Sequence, residues 1–312
     1  MRLWELDFGT RTVRELDPRA AAPAVATGCF RWLDLPAGEA DEAVVRLHVA
    51  SAPDGLCDGL LRELEFAEGW LAFGLTGGSL VDGSPSGLNV LFSQHLLVTI
   101  EFGRCETLGR LRQGWREDFT QFAQSPGFFL FELSDHYTTS SQARLHHIER
   151  LIDVMQARLF GKDADDTVFG EAAALLQRLQ DMRQNAVVAG ETFEELATRN
   201  SAYIAASTQP FIARNALRME RLAAELLHQR EALMGALNLY IGRTGHHTGQ
   251  LLKRLTAFSM IFLPLSFLAG VFGMNFSSLP GTDHAYAFAI FCGSVAVITS
   301  LLLVIARRGG WF

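Results

Sequence analysis

The sequence predicts an α+β domain followed by long stalk helices and a two-helix transmembrane hairpin, and three observations carry that reading. Short β-rich runs punctuated by Gly and Pro occupy the chain up to about residue 125. After Pro126-Gly127 the apolar residues recur at three- and four-residue spacing. Beyond Arg254 formal charge all but stops, and from Leu255 to Ala306 only Asp283 carries any. A composition break of that kind marks a change of solvent from water to lipid. The expected division is 1–125, an α/β domain; 126–251, a helical region and stalk; and 252–312, the membrane domain.

In the first region the expected strands are Phe30–Leu33, Val44–Val49, Trp70–Leu75, Leu88–Phe92 and Leu96–Glu101. The last two flank Ser93-Gln94-His95, which suggests a hairpin. Asp54–Phe66 reads as a short helix. In the second region Leu145, Ile148, Ile152, Met155 and Leu159 form one apolar helix face. The run Gly161–Asp166 interrupts it, and a second helix follows from about Glu171. Pro210 then opens a long stretch whose stripe continues through Leu222, Leu226, Leu233, Leu237 and Ile241. No proline occurs from Phe211 to Leu263. One helix running on into the membrane would be on the order of 90 Å long at 1.5 Å per residue.

Thr256–Phe272, about 17 residues, is at the lower limit for a span, and the preceding helix can lengthen it. The run from His284 or Ala285 to Ala306 is comfortably long. The first span is placed at about 255–273, the outer loop at 274–283 and the second span at about 284–306. Lys253 and Arg254 precede the first span and Arg307 and Arg308 follow the second. The excess of basic residues at these ends puts both termini in the cytoplasm and the loop outside. The opening MRLWELDFGTRTVRELD is too charged for a signal-peptide core, so its export is not expected.

Several function classes are disfavoured. The net charge of −7 and the lack of a long Lys/Arg run argue against nucleic-acid binding. Cys29, Cys57, Cys105 and Cys292 form no CxxC pair, which argues against a zinc ribbon or disulfide framework and fits a reducing cytosol. The sequence contains no P-loop, G-x-G-x-x-G, H-E-x-x-H or G-x-S-x-G, so neither an enzyme nor ATP-driven transport is expected.

Two spans cannot enclose a pore, so conduction would need several copies contributing one helix each. In the first span Leu252, Leu255, Ser259, Leu263 and Ser266 follow one another at three- or four-residue intervals and share one stripe. Bulky apolar and small hydroxyl residues alternate along it, as in a hydrophobically gated pore. On periodicity alone, Ser259 and Ser266 read better as small residues at a close helix–helix contact. Ser294, Thr299 and Ser300 of the second span are scattered, which places that helix outside the first. Pro264 sits in mid-span, tolerable where neighbours or water satisfy the freed carbonyl.

The stretch from Phe262 to Phe276, FLPLSFLAGVFGMNF, resembles the signature of the CorA superfamily of divalent-cation transporters. The basic, Trp-containing tail Arg307-Arg308-Gly309-Gly310-Trp311-Phe312 is similar to that family's tail. The close match covers about residues 249–312. The resemblance implies a homopentameric funnel with one pore helix per subunit in the inner membrane, carrying Mg²⁺ or Zn²⁺ as cargo, with no cofactor. It implies pore-lining roles for Leu252, Leu255, Leu263 and Ser266. It also implies a selectivity mouth at Gly273-Met274-Asn275 and a basic collar of Lys253, Arg254, Arg307 and Arg308. For each collar residue, plain membrane topology is the competing explanation. Asn275 would add a neutral oxygen per subunit where helix carboxyl ends already present partial negative charge, and Gly273 would let the chain leave the helix.

The sequence departs from the magnesium-transporting pattern in two places. The outer loop reads Ser278-Leu279-Pro280-Gly281 where those members carry Met-Pro-Glu, and this resembles the zinc-transporting ZntB branch. The stalk after Pro210 offers Arg214 and Arg218 where magnesium members place sensing carboxylates. Asp283, His246 and His247 are candidate metal contacts. Adjacent histidines diverge by about 100° on a helix, so His246-His247 and His146-His147 more often serve as solvated or packed side chains. Asp163, Asp165 and Asp166 read more simply as a solvated loop. A non-conducting, membrane-anchored scaffold of the same architecture is the rival function.

Overall fold

Alternating side chains and long apolar runs let one sheet be covered on both faces. The computed structural model describes residues 1–21, 29–78, 85–161, 167–199, 204–274 and 286–309. It contains two compact units, Met1–Gly235 and Ala236–Phe312.

The first unit is built on strands β1 (Arg2–Asp7), β2 (Thr12–Leu16), β3 (Phe30–Leu35), β4 (Glu65–Ala67), β5 (Trp70–Gly78), β6 (Pro85–Ser93) and β7 (Leu96–Phe102). They form one sheet in the order β2-β1-β3-β7-β6-β5-β4. Neighbours are antiparallel except the central pair β3 and β7. The expected hairpin at Ser93 is present, and the Ser93 hydroxyl accepts the amide protons of His95 and Leu96.

Helices α1 (Glu42–His48), α2 (Glu106–Phe122), α3 (Gly127–Phe160), α4 (Thr167–Thr198) and the start of α5 (Gln209–Phe272) complete the unit. Leu33, Leu35, Leu91, Val98 and Ile100 pack against Val44 and Val45 of α1 on one sheet face. On the other, Trp4 and Trp32 meet Trp115 of α2 at ring distances of 5.3 and 5.2 Å, and Phe30 stacks on Phe129 of α3 at 5.9 Å. Leu145, Ile148, Ile152, Met155 and Leu159 are all buried. Ile212, Met219, Leu222, Leu226 and Leu233 are the buried stripe of α5, while Ile241 of the second unit is exposed.

Two expected elements take another form. Val44–Val49 lies mostly in helix α1, because the Asp41 carboxylate caps the amide of Ala43 and Val44, Val45 and His48 bury one helical face. Asp54–Phe66 is a turn-rich segment leading into β4, because one buried amide holds its backbone. Asn89 accepts from the Leu61 amide and donates to the carbonyls of Leu56 and Gly59. A helix would need those groups for its own ladder. A Cβ on Gly74 would also lie 2.1 Å from the Leu61 carbonyl oxygen, so this segment crosses β5 where only glycine fits. Strands β1 and β2 and helix α2 were not anticipated from the sequence.

Between sheet and α2 lies a polar cluster. Arg112 donates to both carboxylate oxygens of Asp34 at 2.8 and 2.9 Å and to Glu101 at 2.6 Å. Thr99 donates to Asp34, and Trp32 donates to Thr99. Burial works against the Arg112 charge, but the two carboxylates more than offset this and hold its pKa above the ordinary value. Removing the cation leaves two buried carboxylates uncompensated, a cost of about 3 kcal/mol or more. Arg112→Met is therefore expected to lower the thermal midpoint, followed by fluorescence of the buried tryptophans. Arg46→Ala, which removes only exposed pairs with Glu42 and Asp54, should leave the midpoint unchanged.

His48 gives a pH prediction. Its Nε2–H donates to the Pro18 carbonyl at 3.1 Å, and its buried Nδ1 has no partner among the described residues. Burial pushes its pKa below the ordinary value, against the Pro18 bond and helped by Arg31. The folded state resists a proton that the unfolded chain accepts at roughly pH 6.5. Stability from this site is therefore present above that pH and lost as pH falls through the folded value. The acid-side slope of the thermal midpoint should be shallower in His48→Gln than in the parent.

Candidate functional site

The second unit consists of the apolar end of α5 and helix α6 (Ala287–Arg308). Both helices are long and apolar enough to cross a membrane, and the most apolar stretches are 6% and 0% buried. Core helices of a soluble protein would be largely covered, so these surfaces need lipid or other chains around them.

The two helices cover one another along a single seam. On α5 the more buried residues are Ala257, Ile261, Pro264, Leu265, Leu268 and Val271, and Ala257 is fully enclosed. On α6 they are Phe291, Val295, Ile298, Thr299, Leu302 and Ala306. Rings of Phe272 and Phe291 meet at 4.9 Å, at the end of α5 and the start of α6. Apart from Leu265 and Thr299 at its margin, spacings of three, four and seven residues mark one face of each helix.

The stripe Leu252, Leu255, Ser259, Leu263, Ser266 lies on the other side of α5. At about 100° per residue its centre is roughly 170° from the centre of the packed seam. All five residues are exposed, with Leu255 at 62% and Leu263 at 73%. Within the chain, Ser259 and Ser266 therefore do not serve the contact with α6. The Ser259 hydroxyl donates to the Leu255 carbonyl at 3.0 Å and Thr256 does the same to Leu252 at 2.9 Å. Each hydroxyl thus has a local partner and a free acceptor face.

At the end of α5, the Gly273 amide donates to the Ala269 carbonyl at 2.9 Å and Met274 to Val271 at 3.3 Å. Gly273 does not adopt a left-handed backbone. Its advantage is space, since a Cβ there would stand 3.0 Å from the Ala269 carbonyl oxygen. Asn275 and Asp283 lie outside the described residues, as do Asp163, Asp165, Asp166 and Ser278-Leu279-Pro280-Gly281.

Lys253, Arg254, Arg307 and Arg308 are exposed, and none has an ion-pair partner among the described residues. Arg307 and Arg308 occupy the last turn of α6, where a helix end favours cations. His246 and His247 are exposed on α5, and His246 contacts Gln250 at 3.0 Å. Among the described residues no three His, Cys, Asp or Glu side chains converge to hold a metal ion. Arg218 is committed within its own unit, donating to Asp135 at 2.8 Å and to Gln142 at 3.0 Å, and Arg214 lies over the Phe211 ring. The sequence reading missed the packed seam, although Ala257 and Ala306 in otherwise bulky spans were its available signal.

A sheet-bearing unit and two exposed apolar helices, one of them the end of a 64-residue helix, define a class of membrane protein. The family described as CorA-like Mg2+ transporter protein matches residues 79–308, and the chain belongs to it. This is a family of transport proteins rather than enzymes. The chain is 23% identical over 184 residues to the cobalt/magnesium transport protein CorA of Thermotoga maritima, covering 59% of this chain and 52% of that one. It thus spans about half the length of that relative. It is 35% identical over 57 residues to the zinc transport protein ZntB of Yersinia pseudotuberculosis, 18% of this chain and 17% of that protein. The complete structure of the CorA magnesium transporter from Methanocaldococcus jannaschii superposes with a TM-score of 0.83 at 18% identity, covering 100% of this chain and 98% of that one.

The seam makes its own prediction. Ala257→Leu overfills the enclosed site and should lower the thermal midpoint of the detergent-solubilised chain. Ala257→Ser, nearly the same size, should stay close to the parent.

Proposed function

We propose that this chain is one subunit of a homopentameric divalent-cation transporter of the inner membrane, with both termini in the cytoplasm. Five copies of α5 would surround the pore. Leu252, Leu255 and Leu263 would form apolar rings alternating with hydroxyl rings of Ser259 and Ser266. The observation that carries this reading is the uncovered stripe on the side of α5 opposite its seam with α6.

The physics of such a rank of rings suits a hydrated cation. Serine oxygens offer neutral acceptors that contact the ion's water shell, and leucine rings resist wetting when narrow. Gly273-Met274-Asn275 would form the outer mouth, with carboxamide oxygens and helix carboxyl ends supplying partial negative charge. Mg²⁺ gives up its water reluctantly, so neutral oxygens touching a hydrated ion discriminate by size and charge without holding it tightly. Lys253, Arg254, Arg307 and Arg308 would form the basic collar at the cytoplasmic neck. Entry of a divalent ion gains about 4.6 kcal/mol at 100 mV, from about 2.3 kcal/mol per charge, so no nucleotide is needed. The cargo is Mg²⁺ or Zn²⁺, consistent with relatives named for cobalt/magnesium and for zinc transport.

Ion uptake by purified protein in liposomes tests this. The parent should take up at least one of the two ions, and Asn275→Ala and Ser266→Leu should each lose about tenfold or more of the flux. Unchanged flux in Ser266→Leu would show that the stripe faces something other than the ion path. Uptake of neither ion would favour the non-conducting scaffold. Zn²⁺ uptake abolished by a proton uncoupler, without Mg²⁺ uptake, would assign the chain to the ZntB branch.

A further inference from the structure

The first unit contains a cationic pocket unrelated to the ion path. It lies among β5, α3, α4 and α5, is about 20 Å³ in volume, and is lined by Gly77, Tyr137, Ser141, Arg144 and Asn185 among others. That volume admits one group about the size of a water molecule or a small ion.

Arg144 is only 9% exposed. Its guanidinium donates to the Ser141 hydroxyl at 2.7 Å, and no carboxylate among the described residues pairs with it. Among the described residues Arg112 pairs with Asp34 and Glu101, and Arg31 with Glu5, whereas Arg183 also lacks a carboxylate and leaves a buried Nε without a partner. A Cβ on Gly77 would lie 3.3 Å from Nη1 of Arg144, so the absent side chain lets the guanidinium rest against β5.

The remaining polar groups favour a negative occupant. Tyr137 donates its proton to the Thr76 carbonyl at 2.6 Å. Burial pushes its pKa up to about 12, so the phenol stays neutral and cannot serve as counter-ion. The Asn185 carboxamide has no hydrogen-bond partner among the described residues and lines the same pocket. A buried cation without a counter-charge is costly, whereas hydrogen bonding to an anion offsets desolvation of both.

We propose that this pocket binds a small monovalent anion, held by the Arg144 guanidinium and the Asn185 carboxamide, which ties α3, α4 and the edge of the sheet together. The site is independent of which cation the chain transports.

Thermal unfolding of the full-length chain in lipid nanodiscs tests it, comparing sodium bromide or chloride with sodium gluconate at equal ionic strength. The midpoint should rise with halide and saturate. Arg144→Gln should abolish the response, and Asn185→Leu should raise the half-saturating concentration about tenfold. Equal midpoints in the two salts, or a halide response intact in Arg144→Gln, would overturn the proposal. Asp82, which falls in the sequence between β5 and β6 and outside the described residues, is a carboxylate to test as a competitor. A response that appears only in Asp82→Asn would show that the chain fills its own pocket, and would also overturn it. Should Arg144→Gln fail to fold, crystals of the parent grown in bromide decide: anomalous density against Arg144 supports the site, and its absence there refutes it.

Discussion

A hairpin of two helices can bury only one face of each, and the functional architecture of this chain depends on that limit. In the second unit the seam through Ala257 and Ala306 uses up the available contact. The opposite side of α5, bearing Leu255, Ser259 and Leu263, must be met by lipid, water or further copies. Hydroxyl groups on that side are not forced into a polar setting, because Ser259 already bonds to the carbonyl one turn back. What the constraint supplies is availability: a long face with small polar steps, left unoccupied by its own chain. The proposed pentamer uses that face at a common axis and leaves α6 on the outside.

The first unit follows a different rule, in which buried charge is matched locally. Arg112 bridges β3, β7 and α2 through Asp34 and Glu101. Arg218 performs a similar task between α5 and α3 through Asp135. Gly190 brings α4 within 3.5 Å of Met219 on α5, measured from where its Cβ would stand, so the helices of this unit approach closely. Arg144 departs from that pairing, and the anion proposal rests on its deep burial together with the pocket beside it.

Much of the fold could be read from local pattern. The strands around Phe30, Trp70, Leu88 and Leu96 were legible because β-branched and aromatic runs bounded by turn residues suit a pleated surface. The helical faces at Leu145–Leu159 and Leu222–Leu233 were legible because their period is local. The failures at Val44–Val49 and Asp54–Phe66 have non-local causes. Valine pairs favour a strand until Asp41 caps a helix and the sheet needs cover. A segment with helical composition lost its ladder to Asn89, 28 residues away from Leu61. Strands β1 and β2 escaped notice because their charged residues mask alternation that only the paired sheet reveals.

The candidate site divides along the same line. Residue order alone determined the two apolar spans, the stripe from Leu252 to Ser266 and the Gly-Met-Asn ending, since hydropathy and helical phase are properties of neighbours in sequence. Tertiary structure decided which side of α5 the second helix covers, and that Arg218 answers to Asp135 while Arg144 lacks a described carboxylate. Those outcomes depend on distances between residues far apart in the chain, which packing sets and periodicity does not encode.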